Sequence, residues 1–231
     1  MAEDSLTSLT EEVISCRRCP RLVEWRERVA AEKRAAFQDD EYWGKPVPGW
    51  GDPEAQLVVV GLAPAAHGAN RTGRMFTGDR SGEWLYRALH EAGFADQPQS
   101  INRDDGLTLA DAWVTAPVRC APPANKPTTQ ERDNCAEWFD RELDLLTRAC
   151  VYLALGQYGY VSLWRYLSSR SAGMPRPRPK FGHGGEVTLP GGSTLLMSFH
   201  PSQQNTFTGR LTQEMFASVF SRARSLIEPC R

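Results

Sequence analysis

Three polar side chains of the sequence could act together in hydrolysis: the carboxylate of Asp79, the amide of Asn125 and the imidazole of His200. Each follows a segment predicted to be a strand, and the loops after successive parallel strands converge on one crevice of an α/β sheet. Each residue also has a purely structural explanation. Asp79 could cap the following helix, Asn125 could shape a turn, and His200 could be a satisfied histidine at a strand end.

The stretch from Gly61 to Asp79 lies between an apolar segment, residues 57–60, and a predicted helix. A buried strand, a loop rich in glycine and polar residues, and then a helix is how α/β folds build a ligand site. The glycines let backbone N–H groups approach a ligand, and Arg71 and Arg74 add positive charge. The stretch has neither a Walker sequence nor GxGxxG, so it does not predict an ordinary nucleotide cradle.

The cysteines form a second group with possible chemistry. Cys16 and Cys19 are a CxxC pair, and Cys120 and Cys135 follow about a hundred residues later. Six cysteines in a chain expected to be intracellular indicate metal or redox chemistry rather than disulfides. Four thiolates fit either a structural Zn²⁺ or a [4Fe–4S] cluster, and the spacing alone does not choose between them. Buried free thiols are the alternative, and they suit the other two cysteines better.

The bulk properties limit the class of protein. A chain of 231 residues with 41% hydrophobic and 24% charged residues suits a single domain over 1–231, with residues 1–50 forming N-terminal helices and a loop. A formal net charge of −1 gives no general attraction to nucleic acid, so a DNA site would need a local basic patch. The apolar segments are too short to cross a bilayer, and the N-terminus does not resemble a signal peptide. We therefore expect a cytoplasmic protein.

Strands alternating with helices predict a parallel sheet between two layers of helices. Core strands are expected at residues 57–60, 112–120, 151–155 and 194–199, with a further strand and turn at 186–192. Helices are expected within 5–36, interrupted at 16–20, and at about 82–91, 128–147, 157–167 and 212–227. Thr128 and Glu131 form a capping box at the start of one of them.

The polar segment 201–210, directly after His200, carries one aromatic residue and one arginine, Phe207 and Arg210. Amides and hydroxyls can read base edges and phosphates, and an apolar wedge can enter a duplex. An ordinary surface loop is the alternative, but the position beside His200 favours a binding role.

Four segments together carry a family resemblance. The first motif is Gly-Leu-Ala-Pro-Ala-Ala-His-Gly at 61–68, continued by Asn-Arg-Thr-Gly-Arg at 70–74 and Phe-Thr-Gly-Asp at 76–79. The second is His-Pro-Ser-Gln-Gln-Asn at 200–205 with Thr-Gly-Arg-Leu-Thr at 208–212. The other two are Cys-Arg-Arg-Cys-Pro at 16–20 and Cys-Ala-Pro-Pro-Ala-Asn-Lys-Pro at 120–127. These segments span most of the chain, and they resemble the family 5 uracil-DNA glycosylases.

The resemblance implies a fold and a cofactor. The fold would be a three-layer sandwich with a central four-stranded parallel sheet flanked by helices, with an iron–sulfur cluster at one side. The resemblance favours iron over zinc and implies a structural [4Fe–4S] cluster held by Cys16, Cys19, Cys120 and Cys135.

The resemblance also implies a DNA repair enzyme that flips out uracil, and other deaminated bases such as hypoxanthine, and hydrolyses the glycosidic bond. Many uracil-DNA glycosylases have a carboxylate or amide where this chain has Leu62 and Ala63. Water activation would then pass to Asp79, with Asn125 helping to hold the water, while neutral His200 donates a hydrogen bond to the departing base. The motifs contain no evident lysine nucleophile, so we expect a monofunctional, metal-independent reaction that leaves an abasic site.

Further roles follow from the same resemblance. The base-binding residues would be Ala63, Phe76, Asn125 and His200. The DNA-binding residues would be Asn70, Arg71, Arg74, Gln203, Gln204, Asn205 and Arg210. The partner would be DNA that contains uracil or another deaminated base, and we expect a monomer that associates with the nucleoid when it acts.

Two other classes of protein stay open at this point. One is a Cys₄ protein that binds damaged DNA without cutting it, for which Asp79→Asn would leave all function intact. The other is a hydrolase of free nucleosides, for which the basic loops at Arg176 and Arg210 would be irrelevant.

Overall fold

A computed structural model describes residues 4–228, and a six-stranded mixed sheet lies at its centre. The strands are β1 (Trp50–Gly51), β2 (Leu57–Val60), β3 (Ala112–Thr115), β4 (Val151–Leu155), β5 (Glu186–Thr188) and β6 (Thr194–Ser198), in the order β1-β3-β2-β4-β6-β5. β3, β2, β4 and β6 are parallel neighbours, whereas the edge strands β1 and β5 are antiparallel to β3 and β6. All parallel strands therefore end at the same edge of the sheet.

The prediction of a four-stranded parallel sheet is thus wrong for the sheet as a whole. The four core strands are present and parallel, but two short antiparallel strands extend the sheet at its edges. β1 has only two residues, too few to show the alternation of polar and apolar side chains that predicts a strand. The second core strand ends at Thr115 rather than at residue 120, and Pro117 has no N–H group for a ladder hydrogen bond.

Helices cover both faces of the sheet. They are α1 (Leu6–Ser15), α2 (Pro20–Glu32), α3 (Ala69–Thr72), α4 (Arg80–Glu91), α5 (Thr129–Leu145), α6 (Gly156–Arg170), α7 (Gln203–Phe207) and α8 (Gln213–Ile227). The six longer helices confirm the predicted helices within a few residues at their ends. The short helices α3 and α7 lie in stretches predicted as loops, and the Ser202 side chain caps the start of α7.

The two faces of the sheet have separate cores because side chains alternate along each strand. Val59 of β2 and Val114 of β3 pack with α4 and α8 on one face. Val58 and Trp113 point to the other face, where α5 and α6 cover them. The four core strands are buried at every position, which is typical of parallel strands covered on both sides.

The N-terminal helices pack beside α5 and add a third small core. Arg141 of α5 forms ion pairs with Asp4 and with Glu12 of α1, at 2.9 Å each. Arg21 of α2 pairs with Glu131 of α5 at 2.6 Å. Contacts between side chains distant in sequence therefore hold this region.

No helix within the described range 4–228 is long and apolar enough to cross a membrane. Cys230, expected as a free thiol, lies outside the described residues.

Candidate active site

The loop after β2 is shaped by close contacts that only glycine permits. A Cβ atom on Gly82 would clash with the carbonyl oxygen of Phe76, and one on Gly61 would lie 2.6 Å from Cζ of the Phe76 ring. Phe76 itself has a φ of 53°, which is rare for an aromatic residue. Strained backbone of this kind clusters at functional sites, and here it directs the Phe76 ring over Gly61.

Asp79 caps α4 and also lies against the loop. Its Oδ1 accepts a hydrogen bond of 2.9 Å from the Gly82 N–H, and its Oδ2 lies so close to Gly68 that a Cβ there would clash. Desolvation raises the pKa of Asp79, while backbone hydrogen bonds from Gly82 and Ser81 act against the increase. The capping explanation is correct for Oδ1, whereas Oδ2 does not cap the helix and lies beside Gly68 of the loop.

His200 lies next to Phe76 at the end of β6. The two rings are stacked, with their centroids 5.7 Å apart and their planes at 28°. Burial lowers the pKa of His200 to about 4, because the charged imidazolium loses hydration. His200 is therefore a neutral imidazole at physiological pH, and a neutral ring can donate a hydrogen bond without bringing a charge into the site.

The segment after His200 is fastened to α4. Ser81 Oγ donates a hydrogen bond of 3.1 Å to the carbonyl oxygen of Pro201, and Asn205 Nδ2 donates one of 2.8 Å to the carbonyl oxygen of His200. Gly156, with a φ of +88°, brings its backbone so close that a Cβ there would lie 3.2 Å from Cβ of His200. These contacts hold the segment of His200 beside the loop that carries both Phe76 and Asp79.

Asn125 and Ala63 are placed differently. Asn125 is exposed on a 3₁₀ turn, Pro123–Asn125, in which Ala124 and Asn125 both have positive φ, 52° and 55°. Among the described residues, no side-chain hydrogen bond joins Asn125 to Asp79 or His200. Ala63 is partly buried and packs against the core that contains the cysteines.

Three of the predicted DNA-binding residues make contacts inside the protein. Arg74 is 5% exposed and pairs with Asp105 at 2.6 Å. Asn70 is fully buried and donates to the carbonyl oxygen of Arg26 at 3.2 Å. Arg71 pairs with Asp40 and donates to two carbonyl groups of its own loop. These side chains hold the loop in shape, and the structure gives none of the three a side chain directed freely to solvent.

In the second predicted DNA-binding segment, most of the side chains are exposed rather than buried. Gln203 and Gln204 are exposed on α7, and Asn205 is partly buried by its bond to His200. Arg210 is exposed, and its guanidinium lies 4.4 Å from the centroid of the Phe199 ring. Phe207 is 65% exposed, with the Arg80 guanidinium 4.4 Å from its centroid. This polar surface with one aromatic projection lies next to His200.

The four predicted metal ligands, Cys16, Cys19, Cys120 and Cys135, line one pocket. Three are buried and Cys16 is partly exposed. No group of three or more His, Cys, Asp or Glu residues within 4–228 is arranged to hold a single metal ion. The structure thus brings the four thiols to one place without showing a metal site.

Sequence reasoning missed Arg26, which is 2% exposed in this pocket. Its Nη1 lies 2.9 Å from Sγ of Cys120, and burial raises the pKa of Cys120 to about 12 although Arg26 acts against the increase. The signal was available, since Arg26 falls on the same helical face as Leu22 and Val29, both of which are buried. An arginine on the apolar face of a helix indicates a buried acceptor nearby.

Comparison with known proteins identifies the family to which the chain belongs. The model of the Uracil DNA glycosylase superfamily matches residues 48–224, which contain the whole sheet and both motifs around Phe76 and His200. Among the similar curated proteins, the type-5 uracil-DNA glycosylase of Mycobacterium bovis is 51% identical over 96% of this chain and 82% of its own length. That of Thermus thermophilus is 51% identical over 95% and 97%, and that of Pyrobaculum aerophilum 44% over 91% and 88%. The chain therefore belongs to the type-5 uracil-DNA glycosylases, and the resemblance drawn from its motifs is confirmed.

Proposed function

We propose that the protein is a DNA repair glycosylase that removes uracil from DNA and leaves an abasic site. The observation that carries the proposal is the neutral His200 stacked on Phe76 beside the carboxylate of Asp79. The similarity of the chain to type-5 uracil-DNA glycosylases supports the proposal independently. The proposal places the whole activity on a single domain over 1–231.

The target nucleotide must leave the base stack before its glycosidic bond can be reached. Phe76 then offers an aromatic face on which the flipped base stacks, since every base has such a face. The neutral His200 donates a hydrogen bond to a base oxygen, where negative charge develops as the bond to the sugar breaks. Because its pKa is lowered to about 4, His200 stays uncharged throughout.

Asp79 acts on the other side of the same bond. As the carbon–nitrogen bond breaks, its electron pair goes to the base and positive charge develops on the sugar, which the carboxylate and the DNA phosphates stabilise. Oδ2 of Asp79 takes a proton from the attacking water while the water oxygen bonds to the sugar carbon. Asn125 would help to hold this water. The chemistry needs no metal ion and no lysine nucleophile.

The surface of α7 and the loop after it supply the contacts to DNA. Gln203, Gln204 and Asn205 would fill the gap that the flipped nucleotide leaves, and Arg210 would hold a phosphate. Phe207 projects from the same surface as an apolar wedge. Asn70, Arg71 and Arg74, predicted to bind DNA directly, are better explained as residues that hold the loop around Phe76 and Asp79.

The four-cysteine pocket suits a [4Fe–4S] cluster held by Cys16, Cys19, Cys120 and Cys135. The buried Arg26 beside Cys120 places positive charge where thiolates would need it. The bound cluster would cross-link α2, the loop after β3, and α5, so its role would be structural.

Other properties stay predictions of the same proposal. A base pocket formed by an aromatic face and one imidazole donor lacks a strict reader of uracil, so hypoxanthine would also be accepted. The monomeric state and the cytoplasmic, nucleoid-associated location are expected in the same way.

The test is excision of uracil from a labelled duplex with one uracil opposite guanine, in EDTA, followed by alkali. We expect strand breakage only after alkali, and its loss in His200→Ala. A duplex with hypoxanthine in place of uracil tests the wider range of bases. Breakage without alkali would indicate a lyase, and tight binding without breakage would favour the Cys₄ damaged-DNA-binding protein instead.

A further inference from the structure

His67, in the first motif, has a hydrogen-bonding arrangement that the proposed chemistry does not use. Its Nδ1 lies 3.0 Å from the hydroxyl oxygen of Tyr42, and the two rings meet edge to face with centroids 6.1 Å apart. The Tyr42 oxygen also accepts a hydrogen bond of 3.4 Å from the backbone N–H of Arg34. The Tyr42 hydroxyl still has its own proton, which it can donate to Nδ1 of His67. In that tautomer the ring proton of neutral His67 is on Nε2.

His67 carries no charge at neutral pH. Its pKa is lowered by burial and then by the positive charges of Arg34 and Arg71. The ring is only partly buried, and no described residue accepts a hydrogen bond from Nε2. His67 therefore presents a fixed, uncharged N–H donor without a protein partner.

The backbone that carries His67 runs beside Asp79. Gly68, which follows His67, lies in contact distance of Oδ2 of Asp79. The carbonyl oxygen of His67 accepts a hydrogen bond of 2.9 Å from Nε of Arg71, so the backbone at this point is held in place. A ligand at Oδ2 of Asp79 would therefore lie beside the backbone residue that follows His67.

The charges around His67 indicate an anionic ligand. Arg71 is neutralised by its ion pair with Asp40. Arg34 is exposed and forms no ion pair with an acidic side chain of the described range, yet its charge is close enough to affect His67. A neutral N–H donor beside one unpaired guanidinium fits a phosphodiester oxygen.

We propose that His67 and Arg34 bind one backbone phosphate of the DNA next to the excised nucleotide, with Tyr42 fixing the tautomer of His67. The inference rests on the proposed function, because it takes DNA as the ligand. His67 gives a directional hydrogen bond and no charge, whereas Arg34 supplies the charge. The contribution of Arg34 to DNA affinity should therefore depend on salt concentration, whereas that of His67 should not.

The experiment measures the affinity for a duplex that contains a tetrahydrofuran abasic-site analogue, at a series of salt concentrations. His67→Ala should weaken binding about tenfold at every salt concentration, since a hydrogen bond to a charged group is lost but no counterion release. Arg34→Ala should lower the slope of log affinity against log salt by about one. His90→Ala, at an exposed histidine at the end of α4, is the matched control and should change neither quantity.

Tyr42→Phe tests the tautomer. It should weaken binding severalfold in the native chain and have no effect in the His67→Ala background, and a loss of the same size in both backgrounds would overturn the role of Tyr42. Native affinity in His67→Ala, or a changed salt slope there, would overturn the phosphate site. Thermal unfolding of each variant separates loss of binding from loss of fold. If the native protein binds this duplex but does not excise uracil, the proposed function fails while the test of His67 remains valid.

Discussion

The loop around Asp79 and the pocket of four cysteines are built by different means. In the loop, close backbone approaches at Gly61, Gly68 and Gly82 place the functional side chains, and the Asp79 cap is local in sequence. In the pocket, the walls come from α2, the loop after β3, and α5, and ion pairs between residues about 100 apart hold them, such as that of Arg21 with Glu131. The protein shapes the first region by backbone geometry and the second by side-chain pairing.

In the proposed function, the loop around Asp79 serves catalysis and the pocket of four cysteines serves stability. Burial raises the pKa of Asp79 and lowers that of His200 to about 4, and in the proposed mechanism each shift serves one step of the reaction at a cost to folding. The cysteine pocket contains no group that the reaction needs. Changes of Asp79 or His200 should therefore reduce activity without unfolding the protein, whereas changes of the pocket cysteines should do the reverse.

The largest effect is expected for Asp79→Asn. The amide oxygen can still cap α4, but it cannot take a proton, so excision should fall by about 10²–10⁴-fold in single-turnover measurements. The carboxyl has a raised pKa in the folded protein, which therefore binds its proton more tightly than the unfolded chain does. The stability contributed by Asp79 is lost as the pH rises through its folded pKa, so Asp79→Asn should unfold at the same temperature or higher at pH 7. A clear drop in melting temperature would show that the loop needs the charge.

The next largest effect is expected for Cys135→Ser. Loss of one cluster ligand should remove the broad visible absorbance of the purified protein and destabilise it by about 5 kcal/mol, or roughly 10–20 °C in melting temperature. Cys150→Ser, at a cysteine outside the pocket, is the control and should keep the absorbance. Normal stability in Cys135→Ser would contradict a structural cluster.

The parts that the sequence predicted share a physical basis. The four core strands are short, apolar and buried on both faces, so their pattern identifies them without further context. His200 could be placed because it follows such a strand directly. The edge strand Trp50–Gly51 could not, since it gains its pairing only from β3. The ion pair of Arg74 with Asp105 could not be predicted either, because it forms only when a loop distant in sequence folds against the first motif.

Arg74→Ala tests whether this residue of the first motif supports stability rather than contact with DNA. Removing one partner of a buried ion pair leaves Asp105 with backbone hydrogen bonds but no opposite charge, which should cost about 3 kcal/mol, or roughly 6–12 °C in melting temperature. The loop would still contain Phe76 and Asp79, so the activity that remains below the melting temperature should keep its dependence on salt. Arg210→Ala is the comparison, because this exposed arginine should leave stability unchanged and lower the salt slope of DNA binding by about one. A lower salt slope in Arg74→Ala would restore its predicted contact with DNA.

The smallest effect is expected for Phe207→Ala. Phe207 is 65% exposed on α7, so its removal leaves no cavity and should not change the melting temperature. An apolar wedge assists flipping only where a stack must be opened, so excision from a duplex should fall by about threefold to tenfold while excision from a single strand stays the same. Ile101→Ala removes the other large exposed hydrophobic side chain of the described range and should change neither rate. An equal loss on both substrates would mean that Phe207 contacts the flipped nucleotide itself, which would extend the catalytic region from the Asp79 loop to α7.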